Sequence, residues 1–401
     1  MKGFQKIALG TALILGALSP LTQVYAMKVV SKIIGGDDVN FSPNENMMVS
    51  LRANEVDEMP FCGGTIIGEQ WILTAAHCVV LGSGDGLFVI KPSQLTITAG
   101  ITDNSDTNVE YMYVATHVVV HPDYTQDAKV KVDNQGNIEL IHSALNNDLA
   151  LIRVDNKFID LGMSVLANDE LANETDVLLS TQWDDHDRPK NVRILGWGAT
   201  LPDGSSPSDS LKQATLSFLP IVDCFVRIEN GSSPALVIDS PTNRTKICTL
   251  PPEKIAQSPS VGVDSCFGDS GGPLFTQTVE GQTIQIGIVS GSTVGSPACG
   301  SLSRPTFYTR IGTYYDWITE TIKKTPQKPI TYPNIIKDPD SDGDNGGGTG
   351  EITCNDSISP NNCALVGKDS GGSMGWWSLF LLGGLFWKRN KEHNSMPNRQ
   401  S

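Results

Sequence analysis

Three short runs each set one reactive side chain among residues that would hold it in place. Ser270 lies in Asp264-Ser265-Cys266-Phe267-Gly268-Asp269-Ser270-Gly271-Gly272-Pro273. Glycines near it on both sides permit a tight turn that leaves the hydroxyl exposed. They also let a carbonyl approach backbone N–H groups able to stabilise the oxyanion of a tetrahedral intermediate. A serine hydroxyl is a weak nucleophile alone; it needs a base, and the base needs an orienting group. Thr74-Ala75-Ala76-His77-Cys78 offers the base, at the end of a strand-like run. Asn146-Asn147-Asp148-Leu149-Ala150-Leu151 offers the acid. An aspartate opening a buried strand is costly unless hydrogen-bonded, and an imidazole N–H would satisfy it. A lone histidine would read as an ordinary surface or core residue, and the serine run is what makes His77 a candidate base.

Such residues must be positioned by a frame. From Ile33-Ile34-Gly35-Gly36 to about Ile322, short β-type runs alternate with Gly, Pro, Asn and Asp turns. Examples are residues 71–74, 95–99, 113–120, 148–154, 191–196 and 284–289. This spacing predicts an all-β sandwich or pair of barrels. One helix is expected over 314–323, where Tyr314, Trp317, Ile318 and Ile322 recur at three and four residues.

The chain has 401 residues, 39% hydrophobic and 18% charged, enough for one large domain with extensions or for two. Its net charge of −15 argues against nucleic acid as a partner. Eight cysteines permit four disulfides and fit an oxidising compartment. Lys2 and Lys6, an apolar stretch over 7–18 and Val24-Tyr25-Ala26 read as a secretory signal peptide over 1–26; an uncleaved anchor is the other reading. Residues 27–32 form a short propeptide, and 33–323 the main domain. Residues 324–370 read as an acidic, Pro/Gly-rich linker with a small loop between Cys354 and Cys363. Asp338, Asp340, Asp342 and Asp344 alternate like a calcium loop but lack its closing glutamate, which leaves a flexible acidic linker as the stronger reading. Gly371-Gly372-Ser373-Met374-Gly375 precedes an apolar run over 376–387 and Lys388-Arg389-Asn390-Lys391. Twelve residues rise only about 18 Å as a helix, short of a ~30 Å hydrocarbon core. A membrane-sorting segment over 371–391, its basic end cytoplasmic, and a polar tail over 392–401 are expected. A buried terminal helix is the alternative.

The order His, Asp, Ser is that of the chymotrypsin arrangement. Residues 33 to about 322 resemble the chymotrypsin/trypsin family of serine peptidases. The likeness rests on Ile33-Ile34-Gly35-Gly36, Phe61-Cys62-Gly63-Gly64-Thr65, Leu73-Thr74-Ala75-Ala76-His77-Cys78, Asn147-Asp148-Leu149-Ala150-Leu151, Gly196-Trp197-Gly198 and Gly268-Asp269-Ser270-Gly271-Gly272-Pro273. The resemblance implies a double six-stranded antiparallel β-barrel with a C-terminal helix and the triad between the barrels. It implies an acyl-enzyme on Ser270, His77 as base and then acid, Asp148 as its orienter, and an oxyanion hole from the N–H groups of Gly268 and Ser270. It implies activation by cleavage after Lys32, freeing Ile33 to pair with Asp269. It also implies disulfides Cys62–Cys78, Cys224–Cys248 and Cys266–Cys299, with Cys354–Cys363 left by elimination. No cofactor is expected, and the substrates are proteins or peptides of a monomeric enzyme.

The family's pocket-floor position, six residues before the nucleophile, holds Asp264 here, which implies cleavage after Arg or Lys. Ser265, Ser290, Ser292 and Thr306 would complete the primary pocket. Ser292 and Thr306 stand where trypsin has glycines, and Gly291 replaces a tryptophan. The added side chains open a second reading, the same triad with small-residue specificity. A third is a catalytically silent adhesion protein on this scaffold, although all three triad residues are present. Apparent insertions lie at 82–86, 127–137, 184–190, 231–243 and 251–260. The tail resembles the GlyGly-CTERM sorting signal of Gram-negative bacteria. This resemblance implies a sorting peptidase acting near Gly371-Gly372, type II secretion, and a mature enzyme that is secreted or held at the cell surface.

Overall fold

The computed structural model describes residues 33–338 except 54–58, 107 and 257, together with two short strands, Ile352–Cys354 and Cys363–Ala364. The expected signal peptide, Lys32 and the sorting tail lie outside the described residues.

Two closed antiparallel barrels of six strands make up the domain. The first comprises β1 (Met48–Ala53), β2 (Cys62–Gly68), β3 (Trp71–Thr74), β4 (Leu95–Ala99), β5 (Met112–Val120) and β6 (Ala150–Val154). The second comprises β7 (Val192–Gly196), β8 (Lys212–Leu219), β9 (Lys246–Leu250), β10 (Pro273–Gln277), β11 (Thr283–Ser292) and β12 (Thr306–Arg310). Pairing in the first runs β1–β2–β3–β6–β5–β4 and back to β1. In the second it runs β7–β8–β9–β12–β11–β10 and back to β7, the same circuit. Closure leaves no long unpaired edge, which suits strands as apolar as Ala150-Leu-Ile-Arg-Val154. A two-residue strand is appended to each barrel, Asp37–Asp38 on β8 and Ile330–Thr331 in parallel on β5.

One hydrophobic cluster spans both barrels, joining Ile72, Leu73, Leu149 and Leu151 to Cys248, Ile288 and Phe307, and a second fills the second barrel around Ile194, Leu274 and Tyr308. Polar links also cross between them. Gln285 Oε1 in β11 accepts from Thr65 Oγ1 of β2 at 3.0 Å and from Ser164 Oγ at 2.6 Å.

Among the described residues, three α-helices lie outside the barrels. The last, α3 (Ile311–Lys323), begins three residues before its expected start. The other two, α1 (Asp169–Gln182) and α2 (Ile221–Glu229), have no counterpart in the sequence reading. The insertion at 127–137 belongs to a hairpin of Lys129–Val132 and Ile138–His142. The expected linker is folded at its beginning. Residues 324–338 continue along the first barrel, where Asn334 donates from N to Pro122 O at 2.7 Å and from Nδ2 to Asp123 Oδ1 at 3.0 Å. Asp338 meets Lys328 Nζ at 2.7 Å, while Asp340, Asp342 and Asp344 lie outside the described residues.

Disulfides join Cys62 to Cys78, Cys224 to Cys248 and Cys266 to Cys299. The backbones of Cys354 and Cys363 stand opposite each other in a small antiparallel pair.

Candidate active site

His77 sits in a single 3-10 turn, residues 76–78, that follows β3. The neighbouring Cys78 is tied back to β2 by its disulfide, so the ring's anchor is fixed on both sides. Asp148 precedes β6 and is fully buried. Asn147 before it takes φ +52°, in the left-handed region that Asn tolerates, which turns the carboxylate inward. Asp148 Oδ2 accepts from His77 Nδ1 at 2.8 Å and from Ser290 Oγ at 2.6 Å, and Oδ1 accepts from His77 N at 2.9 Å. Ser290, expected among the pocket residues, thus also donates to the triad aspartate.

Burial alone would lower the His77 pKa, but the charge of Asp148 and their hydrogen bond outweigh it, so the ring titrates above its ordinary value. Burial conversely pushes Asp148 up, and the His77 charge with the three donated bonds brings it below the usual carboxylate range. The pair is set so that Asp148 stays ionised while His77 exchanges a proton.

Ser270 lies on the turn before β10. Gly271 after it takes φ +79°, and a Cβ there would stand 2.2 Å from Thr74 Oγ1 and 2.4 Å from Gly63 O, so glycine is required. Ser270 O accepts from Gly63 N at 2.8 Å, which stitches the nucleophile's turn to the first barrel. Gly268 takes φ +95° against Gly198. Among the described residues, the N–H groups of Gly268 and Ser270 donate to no protein acceptor, as an oxyanion hole requires.

Asp269 points away from the cleft. Its carboxylate accepts from Gly198 N and Cys266 N, both at 2.8 Å. A Cβ on Gly196 or Gly198 would collide with it, which explains the Gly-Trp-Gly run. Burial pushes Asp269 up to about 7 against those two bonds. Ile33 is fully buried, and Ile34 packs with Ala199, Val261, Cys266 and Cys299 around the primary pocket. Ile33 itself belongs to the second barrel's cluster, with Ile194, Leu274 and Tyr308.

One cleft of about 650 Å³ holds His77, Ser270, Ser265, Ser292 and Thr306. Asp264, 3% exposed, lies behind Thr306. Thr306 Oγ1 contacts its two oxygens at 3.1 and 3.2 Å, Ser265 N donates at 2.9 Å and Gly300 N at 3.2 Å. Burial raises Asp264 to about 7, opposed by these bonds and reinforced by the charge of Asp269. Cys62, His77 and Cys78 come close enough to suggest a metal site, but the two sulfurs are spent on their disulfide.

Two supports of the triad carried no sequence signal. Thr309 Oγ1 donates to Asp148 O at 2.7 Å, and Tyr314 OH donates to Asn147 Oδ1 at 2.8 Å. Both are remote in sequence from the aspartate, and one is an ordinary barrel residue.

The comparisons agree with this geometry. The family model described as Trypsin matches residues 33–318. The trypsin of Saccharopolyspora erythraea is 28% identical over 291 residues, 72% of this chain and 98% of that one. Trypsin-1 of Astacus astacus is 30% identical over 259 residues, 64% of this chain and 86% of its own. Serine protease 41 of Homo sapiens is 28% identical over 270 residues, 67% of this chain and 70% of its own. The Asp148–His77 hydrogen bond, with His77 and the Gly-bounded Ser270 lining one cleft, in a chain matched along most of its length, places this protein in the trypsin family of serine endopeptidases.

Proposed function

We propose that this enzyme cleaves peptide bonds after arginine or lysine, is made as a zymogen cut after Lys32, and acts outside the cytoplasm. The observation that supports the basic preference is the Asp264 carboxyl at the back of the primary pocket. A guanidinium or ammonium arriving there would hold it ionised, whereas a neutral side chain would leave its raised pKa uncompensated. Arginine, with its planar fork, is favoured slightly over lysine.

The chemistry follows from the positioned groups. His77 takes the Ser270 hydroxyl proton as Oγ bonds to the substrate carbonyl carbon. The carbonyl oxygen becomes an oxyanion facing the Gly268 and Ser270 N–H groups. The C–N bond breaks as His77 returns the proton to the leaving amine, leaving an ester on Ser270. Water, deprotonated by His77, then attacks the ester and releases the acid. Cleavage after Lys32 would free the Ile33 amine to pair with Asp269. The signal-like leader and the GlyGly-CTERM-like tail support export, tail processing and type II secretion.

A second reading has its own support. Thr306, rather than Asp264, faces the cleft, and its hydroxyl already engages the carboxylate. That arrangement suits small or neutral polar residues. The deciding experiment is a peptide library digested by the chain cut before Ile33, with Ser270→Ala as blank. Cuts confined to Arg and Lys, and absent in the blank, support the first reading. Cuts after Ala, Ser or Thr establish the second and sink the first.

A further inference from the structure

Residues 324–338 lie past residue 318, where the family match ends, yet they are folded onto the first barrel. Pro326, Pro329 and Pro333 fix φ and lack N–H groups, so this strap cannot prolong α3 as a helix. Pro329 O accepts from Val118 N at 2.8 Å, and Ile330–Thr331 then runs parallel to β5. Ile330, Tyr332 and Ile336 pack on the hydrophobic cluster that holds Val118 and Tyr314. Lys328 Nζ and Asp338 meet at 2.7 Å, which ties the two ends of the strap together.

The strap ends against the turn 121–125, and that turn carries the residues flanking the catalytic aspartate. On the outer side, Asn334 donates from N to Pro122 O at 2.7 Å and from Nδ2 to Asp123 Oδ1 at 3.0 Å. On the inner side, Asp123 O accepts from Asn147 Nδ2 at 2.6 Å. Thr125 and Asn146 exchange two backbone bonds of 3.1 Å, and His121 N donates to Leu149 O at 3.2 Å. The His121 ring also rests on Tyr314 and Trp317 of α3, with centroids 5.3 and 4.9 Å away. Asn147 holds φ +52° immediately before Asp148, and left-handed backbone outside glycine persists only where its surroundings over-determine it. Asp123 is thus one residue with two duties: its carboxylate meets the strap and its carbonyl meets Asn147. Two hydrogen bonds lead from Asn334 to the residue that aims Asp148.

We propose that Asn334 is a positioning residue for Asp148, acting through the 121–125 turn, so that a strap beyond the matched protease domain helps to set the catalytic aspartate. This deepens the endopeptidase reading of the site and holds whichever side chain the primary pocket prefers. Without the Asn334 contacts the turn keeps its place in the chain but loses its outer clamp. Asn147 could then relax from its left-handed backbone and carry Asp148 off the His77 ring.

The experiment uses the full chain cut before Ile33. Asn334→Asp sets a second carboxylate against Asp123 and removes the Nδ2 donor at an exposed position. It is expected to lower kcat about tenfold with KM within about twofold, the pattern of a misplaced catalytic group. The acid limb of the rate profile is expected to move down towards 6.5, because the Asp148 charge and hydrogen bond are what hold His77 above that value. An added carboxylate by itself would raise His77, so a fall reports a displaced aspartate and not the new charge. Asp123→Asn combined with Asn334→Asp restores donor and acceptor in exchanged places and should return both quantities. The proton resonance of His77 Nδ1–H, assigned by its loss in Asp148→Asn, gives a reading independent of turnover. It is expected to shift in Asn334→Asp and to recover in the double exchange. A lowered Tm with kcat, acid limb and resonance all unmoved would make the strap a stabilising element only and overturn the proposal. So would a double exchange that recovers nothing. If Asn334→Asp does not fold, Asn334→Ala, which adds no charge, is read in the same way. Absence of Ser270-dependent cleavage would sink the endopeptidase reading, and the resonance would then decide the role of Asn334 alone.

Discussion

His77 keeps 22% of its side chain in solvent while its partner Asp148 has none. The proton therefore has a way out on the cleft side only, and the buried carboxylate holds the ring's pKa above its ordinary value. As a base, His77 works when neutral, so activity rises with pH. The acid limb of kcat/KM is expected to have its midpoint above 6.5, the ordinary imidazole value. Asp148→Asn removes the acceptor that sets the tautomer and should lower kcat by about 10⁴ at neutral pH. A rate profile between pH 5 and 9 checks the first, and a single-turnover assay the second. Thr306 belongs to the same scale. Thr306→Gly strips a hydroxyl from Asp264 and opens the pocket, so the kcat/KM ratio for arginine over alanine substrates is expected to rise at least about tenfold. An unchanged ratio would mean that Asp264 does not face the bound side chain. The triad runs stood out in the sequence because each sits among residues with strict local demands, whereas Ser292 and Thr306 were reached only through the family resemblance. The Thr309 and Tyr314 supports were legible in neither way, since a hydroxyl on a barrel strand or on α3 looks the same whether or not it holds a catalytic aspartate.

At the scale of elements, the barrel strands were legible because they are apolar on long runs and bounded by turn residues. The reading of 148–154 as one strand is revised by two residues; Asn147 at positive φ makes a turn there, and β6 starts at Ala150. Helix α1 was not legible. It buries only Ala172, Thr175 and Leu179, too sparse a stripe to stand out as periodic. Polar contacts hold it instead. Arg310, 3% exposed at the end of β12, donates to Asp176 Oδ2 and Asn173 Oδ1, both at 2.8 Å, and to Asp169 Oδ1 at 3.3 Å. Burial raises the Asp176 pKa even against the Arg310 charge. Arg310→Ala would leave that carboxylate without its main cation, and a loss of about 3 kcal/mol in unfolding free energy is expected by denaturant titration. A loss below about 1 kcal/mol would show that α1 is held by packing instead.

At the scale of the whole molecule, the proposed cut after Lys32 would link processing to stability. Asp269 is buried with two backbone donors, and its folded pKa is raised to about 7. A carboxyl raised on folding favours the folded state most below its unfolded value near 4 and progressively less as pH climbs through 7. We predict that this slope belongs to the uncut chain. Freeing the Ile33 amine would pair Asp269 as an ion and remove the loss. The difference in Tm between cut and uncut protein should therefore widen between pH 5 and 8. Equal Tm values across that range would mean that the new amine never reaches Asp269.

The disulfide between Cys62 and Cys78 sits one residue from each working part. Gly63, next to Cys62, holds the nucleophile's turn through the Ser270 carbonyl, and His77 is next to Cys78. One covalent link thus answers for donor and acceptor of the same proton. Breaking this one bond would loosen both at once, so activity is expected to fall on its reduction before the barrels themselves unfold.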